Sequence, residues 1–130
     1  MRYLVDTDWV IDYFHGVEQA VRRLNEFSSD GVGLSVIALA ELYEGVFYSS
    51  NPEGNEQAMR DFLEDVQVVG VDDGVCRTFA RERGRLRSAG ALINDFDLLI
   101  GSMALHHDLT LLTNNRRHFE RVEGLRIVSL

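Results

Sequence analysis

Apolar residues in this chain occur either in short continuous runs or in longer segments where they recur every three or four positions. The short runs are typical of strands buried in a parallel sheet. They predict four strands and a possible fifth, at residues 2–6, 32–36, 66–71, 109–113 and 126–128. The recurring segments predict helices at residues 9–14, 17–27, 37–48, 56–63, 74–88 and 97–107. Strands that alternate with helices predict an α/β fold, with helices on both faces of a parallel sheet.

The helix predicted at residues 37–48 is apolar almost all the way round, which predicts that it is buried. Glu41 lies inside this helix and Glu44 follows it by three residues. A carboxylate in a buried helix is costly unless it is paired or bound to a cation. Because no basic residue nearby in the sequence pairs with Glu41, this residue is a candidate cation ligand. The next segment, SSNPEGN at residues 49–55, predicts a loop within the domain.

Polar residues mark both ends of a helix–strand unit within residues 92–115. Asp95 and Asp97 stand where the helix begins, and Thr113 and Asn115 stand where the following strand ends. In a parallel sheet both places lie at the carboxyl edge, where ligands bind. Free N–H groups at a helix start also favour a carboxylate, so capping is the alternative role for either acid. For Asp95 we favour capping.

Four residues are therefore expected at one edge of the sheet: Asp6 after the first strand, Glu41, Asp97 and Asn115. Adjacent carboxylates repel one another, and a divalent cation removes that repulsion. Oxygen ligands without His or Cys suit Mg²⁺ or Mn²⁺ rather than Zn²⁺. A hard cation in an open carboxylate site is suited to hydrolysis of a phosphodiester by an activated water.

The net charge of −8 argues against avid, non-specific binding of nucleic acid. The charge is uneven: residues 1–73 carry fifteen acids against four Arg, whereas residues 74–130 carry six acids against nine Arg. The chain has no Lys. The stripe of Arg77, Arg81 and Arg85 is a candidate RNA contact, and a solvated helix face explains it at least as well.

The single cysteine, Cys76, cannot form an internal disulfide, which fits a reducing compartment. The strand-like start of the sequence leads us to expect no signal peptide, and no apolar run approaches the roughly 20 residues of a membrane span. These features predict a cytoplasmic protein that does not associate with membranes.

Four segments, in order, resemble the PIN-domain family and especially its VapC toxins. They are LVDTDWVID at 4–12, LSVIALAELYEGV at 34–46, DFDLLIGSMAL at 95–105 and LTLLTNNRRHFERVEGLRI at 109–127. The resemblance implies a single PIN domain over residues 1–130, folded as a three-layer α/β/α sandwich around a parallel sheet of four to five strands. It also implies a metal-dependent endoribonuclease that cleaves RNA, pairs with a VapB-like antitoxin and forms a homodimer.

The same resemblance assigns roles to individual residues. Asp6, Glu41 and Asp97 match the family's metal-binding acids, with Mg²⁺ or Mn²⁺ as the implied cofactor. Asn115 matches the fourth catalytic position, where many PIN domains carry Asp. An amide at that position can hold a water or a phosphate but contributes no charge.

A second set of residues is expected around this centre. Thr7 follows the first acid, and Thr113 is expected to line the site. Asp95 is the candidate for an outer position beside Asp97. Arg116 and Arg117 follow Asn115 directly and are candidates for forked hydrogen bonds to RNA phosphate.

Four further polar residues are expected to have structural or surface roles and no part in catalysis. Asp8 is predicted to be an exposed residue rather than part of the site rim. His118 is predicted to pack or stack. His106 and His107 end a predicted helix, where a cation is favoured, and this role is preferred to metal ligation.

Other functions remain open on the residues alone. Asp6-Thr7-Asp8 matches the pattern of haloacid-dehalogenase-type phosphatases, in which Asp6 would be the nucleophile and Asp8 the acid–base group. A phospho-acceptor receiver domain has a similar size and alternation. Both families expect a Lys that this chain lacks. A non-catalytic, partner-binding PIN module is a further alternative, which the intact acids disfavour.

Overall fold

A computed structural model describes all residues 1–130 of the chain, folded around one five-stranded parallel sheet. The strands are β1 Tyr3–Val5, β2 Val32–Ser35, β3 Gln67–Val69, β4 Thr110–Leu112 and β5 Ile127–Val128. Their order across the sheet is β3-β2-β1-β4-β5, so the first strand lies at the centre. Helices cover both faces, which confirms the predicted three-layer α/β/α sandwich.

Seven helices connect and cover the strands. They are α1 Thr7–Phe14, α2 Glu18–Ser28, α3 Val36–Phe47, α4 Pro52–Leu63, α5 Asp73–Ser88, α6 Asp95–His106 and α7 Arg116–Phe119. None of them combines the length and apolar character that crossing a bilayer requires.

The core lies on both faces of the central strands, because a parallel sheet is covered on both sides. Five residues of the three central strands have no solvent-accessible surface: Leu4 and Val5 of β1, Leu34 of β2, and Leu111 and Leu112 of β4. These short apolar runs are what identified the strands in the sequence. Each predicted strand lies within two residues of the observed bounds.

The predicted loop at residues 49–55 is wrong in its second half, because α4 begins at Pro52. The side chain of Asn51 accepts a hydrogen bond from the Gly54 N–H at 3.3 Å and caps the helix. Proline suits the first helical position, where its missing N–H costs nothing. Residues that suggested a loop therefore form a helix start.

The prediction that α3 is buried on all sides is also wrong. Only Ala38, Leu42 and Val46 are buried, at helical spacing on one face. Phe47 is 57% exposed, and Glu41 lies on the exposed side of the helix. The helix packs against α1, α4, α6 and the sheet, and Glu41, Glu44 and Phe47 lie on its exposed side. Glu41 is therefore only partly desolvated, and the full cost of a buried carboxylate does not apply to it.

Candidate metal centre

The centre of the site is the boundary between β1 and β4, where the direction of strand order reverses. The two strands pair in parallel, with Val5 opposite Leu112, so Asp6 and Thr113 emerge side by side. The backbone N–H of Asp6 donates to the Leu112 carbonyl at 2.9 Å. Ligands of open α/β sheets bind at such a switch point. The adjacency that placed Asp6 beside the Asn115 loop is therefore present.

Asp6 is held by both oxygens of its carboxylate. Oδ1 accepts from the Thr7 N–H at 2.8 Å and thereby caps α1, and Oδ2 accepts from the Thr113 hydroxyl at 2.7 Å. The residue is only 6% exposed. Burial raises the pKa of Asp6 from 3.8 to about 6, with the charges of Asp8 and Asp97 adding to the rise. The two hydrogen bonds oppose this rise but do not cancel it.

Glu41 approaches the same centre from α3. Its Oε1 accepts a hydrogen bond of 3.1 Å from the Thr7 hydroxyl, so Thr7 bridges Glu41 and Asp6. Partial desolvation raises the pKa of Glu41, and repulsion from Asp97 and Glu44 raises it further. Glu41 therefore lies within the electrostatic influence of Asp97 without contacting it.

Asp97 lies in the first turn of α6 and faces the loop after β4. The Asn115 amide donates to Asp97 Oδ2 at 3.3 Å, and the Asn115 backbone N–H donates to the Thr113 hydroxyl at 3.0 Å. His118 Nδ1 lies 2.8 Å from the same Asp97 oxygen. This short contact between ring nitrogen and carboxylate favours the tautomer with the proton on Nδ1.

These contacts form a continuous hydrogen-bonded path through all four predicted catalytic positions. In order, the path runs Glu41, Thr7, Asp6, Thr113, Asn115 and Asp97. The three carboxylates are not close enough for one oxygen of each to lie within 4.8 Å of the others. Mg²⁺ commonly binds only one or two carboxylates directly and keeps several waters. The oxygen donors and their mutual repulsion therefore fit a hydrated hard cation.

Asp95 does not cap α6 and does not face the centre. Asn94 is the cap, since its side chain accepts from the Phe96 N–H at 2.8 Å. Asp95 is 61% exposed at its side chain and pairs with Arg83 at 3.1 Å. The prediction that Asp95 caps α6 is therefore wrong. The side chain of Asn94 already occupies the N-cap position and bonds to the free N–H groups of the first turn.

The two arginines after Asn115 differ in their contacts. Arg116 pairs with Glu120 at 3.3 Å and donates to the Ile127 carbonyl at 3.2 Å, so it joins α7 to β5. Arg117 is exposed and makes no hydrogen bond or ion pair within the chain. Of the two, Arg117 is the one free to meet a phosphate.

The arginine stripe on α5 is largely neutralised by neighbouring acids. Arg77 pairs with Asp73 at 2.7 Å, and Arg85 pairs with Glu82 at 2.9 Å. Only Arg81 of the predicted stripe is without an ion pair. The solvated-face interpretation therefore describes this helix better than a continuous basic surface.

Sequence reasoning underestimated Asp8. Its Oδ2 accepts from the Asn114 N–H at 2.9 Å, and its Oδ1 accepts from the Trp9 N–H at 2.7 Å. Burial is the largest cause of the raised pKa of Asp8. The prediction of an exposed residue is therefore wrong: Asp8 anchors the loop that follows β4. Its position two residues after Asp6 was the available signal.

His118 was assigned to packing, and the structure instead places it against Asp97. The available signal was its spacing, because residue 118 follows Asn115 by three positions on a short helix and therefore faces the same side. His118 is therefore placed to orient the carboxylate of Asp97.

Comparison with known proteins gives the class of the fold and site. The model of the PIN domain matches residues 3–125. Ribonuclease VapC1 of Methanocaldococcus jannaschii is 34% identical over 128 residues, covering 97% of this chain and 86% of that protein. The tRNA(fMet)-specific endonuclease VapC of Shigella flexneri is 29% identical over 126 residues, covering 97% and 96%. VapBC2 from Rickettsia felis, solved with a promoter DNA fragment, has a TM-score of 0.92 at 26% identity, covering 100% and 99%.

The chain belongs to the PIN-domain family. Within that family it belongs to the VapC ribonucleases, the group to which its relatives over nearly the whole chain are assigned. The resemblance carried by the four sequence segments is thus confirmed. The phosphatase and receiver-domain interpretations are set aside, because the matched family covers Asp6, Glu41, Asp97 and Asn115 in one fold.

Proposed function

We propose that this protein is a metal-dependent endoribonuclease and the toxin of a VapBC-type toxin–antitoxin pair. The observation that carries the proposal is the hydrogen-bonded path that joins Asp6, Thr113, Asn115 and Asp97 at the β1–β4 switch point. Acidic side chains are held together here although burial, and to a smaller extent the charges of Asp8 and Asp97, raise the pKa of Asp6. Such an arrangement suits a cation better than it suits folding alone.

Asp6, Asp97 and Glu41 would hold Mg²⁺ or Mn²⁺. When bound, the ion would activate water and stabilise charge on the phosphate. The hydrogen bond from Thr113 holds the Asp6 carboxylate in one orientation, and the contact with His118 does the same for Asp97. Each carboxylate therefore has a defined direction for its remaining lone pairs. Asn115 would keep its amide near the scissile phosphate without adding negative charge to a site that must admit a polyanion.

The substrate would be RNA, and Arg117 would contact a phosphate beside the centre. Its guanidinium is free of intramolecular partners, whereas Arg116 is engaged with Glu120. The chain carries a net charge of −8, so the protein as a whole does not attract RNA. RNA binding would therefore depend on individual basic side chains such as Arg117.

The proposed partner is a VapB-like antitoxin, since the compared Rickettsia felis structure is a VapBC complex. We further propose a homodimer that works in the cytoplasm. The free, exposed thiol of Cys76 supports a reducing compartment. Residues 1–130 as one PIN domain likewise stay a prediction, supported by a family match that spans most of them.

The test is RNA cleavage with Mg²⁺ or Mn²⁺, comparing wild type with Asp6→Asn and Asp97→Asn. Glu53→Gln is the matched control, because Glu53 is also an acid in the first turn of a helix but lies on α4. We expect both site variants and EDTA to abolish cleavage and the control to leave it unchanged. Cleavage that survives EDTA, or persists in both site variants, would refute the metal mechanism.

A further inference from the structure

A second group of metal-ligating side chains lies at the far end of α6. His106 is the last residue of that helix, His107 follows it, and Asp72 caps the start of α5. One ligand atom from each residue lies within 4.8 Å of the other two. We propose that these three residues bind a divalent transition-metal ion, foremost Zn²⁺, at a site separate from the nuclease centre.

The separation follows from the geometry of α6. Asp97 lies in its first turn and His106 at its end, nine residues later. At 1.5 Å of rise per residue, the two positions are about 14 Å apart along the axis. A single ion cannot contact both ends, so the proposed site is not an alternative placement of the catalytic metal.

The backbone prepares two of the three ligands. Asp72 Oδ1 accepts from the Val75 N–H at 2.9 Å, which orients the carboxylate. The His106 ring lies against Gly74, where an added Cβ would overlap the ring. Glycine at this position therefore lets the imidazole lie over the first turn of α5, beside the cap.

The two histidine rings complete the donor set. Their centroids are 4.9 Å apart and their planes are inclined by 71°, so the rings do not stack face to face. Hydrogen bonding to the Val75 N–H lowers the pKa of Asp72, and the two histidines lower it further. Asp72 therefore contributes a charged oxygen to the donor set at neutral pH.

Two imidazole nitrogens and one carboxylate oxygen suit Zn²⁺, and leave one position for water. Tetrahedral ligands at about 2.0–2.2 Å from Zn²⁺ are about 3.4 Å apart. The three side chains are exposed, so small rotations would bring the ligand atoms from their present separations to that distance. Mg²⁺ is a poor occupant, because it prefers oxygen ligands.

An ion at this site would link the start of α5 to the end of α6. These two helices pack against each other, and α6 carries Asp97. Binding to the folded chain alone would raise its stability in proportion to ln(1 + [Zn²⁺]/Kd). The expected role is therefore structural: the ion would secure the helix pair at the end opposite the nuclease centre.

The direct test is nitrogen NMR of the histidine rings during titration of untagged protein with Zn²⁺. The chain has four histidines, at positions 15, 106, 107 and 118. We expect one equivalent of Zn²⁺ to shift the ring nitrogens of His106 and His107 and to leave those of His15 unchanged. Equal shifts at His15 would indicate adventitious binding and overturn the proposal.

Calorimetry in an Asp97→Asn background weakens ion binding at the nuclease centre, so that the second site dominates the signal. There we expect Asp72→Asn and His107→Gln each to weaken Zn²⁺ binding at least tenfold. Asn keeps the cap on α5, so the loss would report the missing carboxylate rather than unfolding. His15→Gln is the matched control and should bind like its parent. Unchanged affinity in Asp72→Asn would refute the site.

Discussion

The hydroxyl of Thr113 donates a 2.7 Å hydrogen bond to Oδ2 of Asp6, although the two residues are 107 positions apart. Both are buried, and the contact exists because β1 and β4 are neighbours in the sheet. The same hydroxyl accepts from the Asn115 N–H at 3.0 Å. Thr113 thus links the first acid of the chain to the loop that reaches Asp97.

Replacing Asp6 with Asn should stabilise the metal-free protein while abolishing cleavage. The folded-state pKa of Asp6 is about 6 against 3.8 for the free group, so the folded chain binds this proton more tightly than the unfolded chain. Protonation of Asp6 therefore stabilises the folded chain. This contribution is fully present below about pH 4 and is lost as the pH rises through about 6. A difference of about 2.2 pKa units corresponds to roughly 3 kcal/mol.

Urea unfolding in EDTA between pH 4 and 8 measures this effect. Wild type should lose stability over that range more steeply than Asp6→Asn, and added Mg²⁺ should restore it, because a bound cation favours the ionised carboxylate. An Asp6→Asn protein that is less stable than wild type at pH 7.5 in EDTA would contradict the prediction.

Thr113→Val should lower the free energy of unfolding by about 1–3 kcal/mol, because it leaves a buried carboxylate oxygen and the Asn115 N–H without their partner. The side chains are similar in volume, so packing changes little. If the same free energy is added to the activation barrier of the reaction, the cleavage rate should fall by roughly 10- to 100-fold. Thr113→Ser restores the hydroxyl and should recover most of the activity; equal defects in both variants would point to packing instead.

His118→Gln should weaken the response to metal more than it weakens folding. Loss of a partner that orients a metal ligand typically costs about 10–100-fold in affinity or activity. We therefore expect the Mg²⁺ concentration for half-maximal cleavage to rise, with most activity recovered at saturating Mg²⁺. His15→Gln, at the end of α1, is the control. An unchanged Mg²⁺ dependence would show that the contact with Asp97 has no such role.

Asp95→Asn and Asp97→Asn should differ sharply, although the residues are two positions apart. Asp97 contacts Asn115 and His118, whereas Asp95 forms an exposed pair with Arg83. Exposed pairs contribute about 0–1 kcal/mol, so Asp95→Asn should leave cleavage within a few-fold of wild type. Asp97→Asn should reduce the cleavage rate by at least about 100-fold. Removing a residue that only supports a metal ligand costs up to about 100-fold, and loss of a ligand itself should cost more. Single-turnover RNA cleavage separates the two outcomes.

Glu82→Gln should reduce stability without affecting cleavage. Glu82 is 9% exposed; it accepts from Arg85 at 2.9 and 3.0 Å and from the Glu123 N–H at 2.9 Å. The Arg85 guanidinium lowers the pKa of Glu82, so its contribution is present above the ordinary Glu value and lost as pH falls through the lowered one. We expect a loss of about 1–3 kcal/mol at pH 7 that shrinks in acid. Thermal unfolding from pH 3 to 7 tests this.

The chain's local patterns were sufficient for the fold class and for much of the site. Apolar runs identified all five strands: β1, β2 and β4 are largely buried, as such runs predict, whereas the edge strand β3 exposes Gln67 and Val68. Asp6 and Asp97 were placed at the carboxyl edge because each stands at a junction between predicted elements. The family resemblance supplied Glu41, whose stated physical rationale, burial within an all-apolar helix, is wrong.

Contacts that depend on strand order required the folded chain. The Asn114 N–H reaches Asp8 across 106 positions, and His118 reaches Asp97 across 21. No periodicity records which strands pair, because an apolar run indicates burial and does not identify the neighbouring strand. The sequence of residues 92–115 predicts an acidic helix start, but Asn94 is the cap of that helix and Asp97 faces the loop after β4. Asp97 belongs to the candidate centre because parallel pairing of β1 and β4 brings their carboxyl ends together.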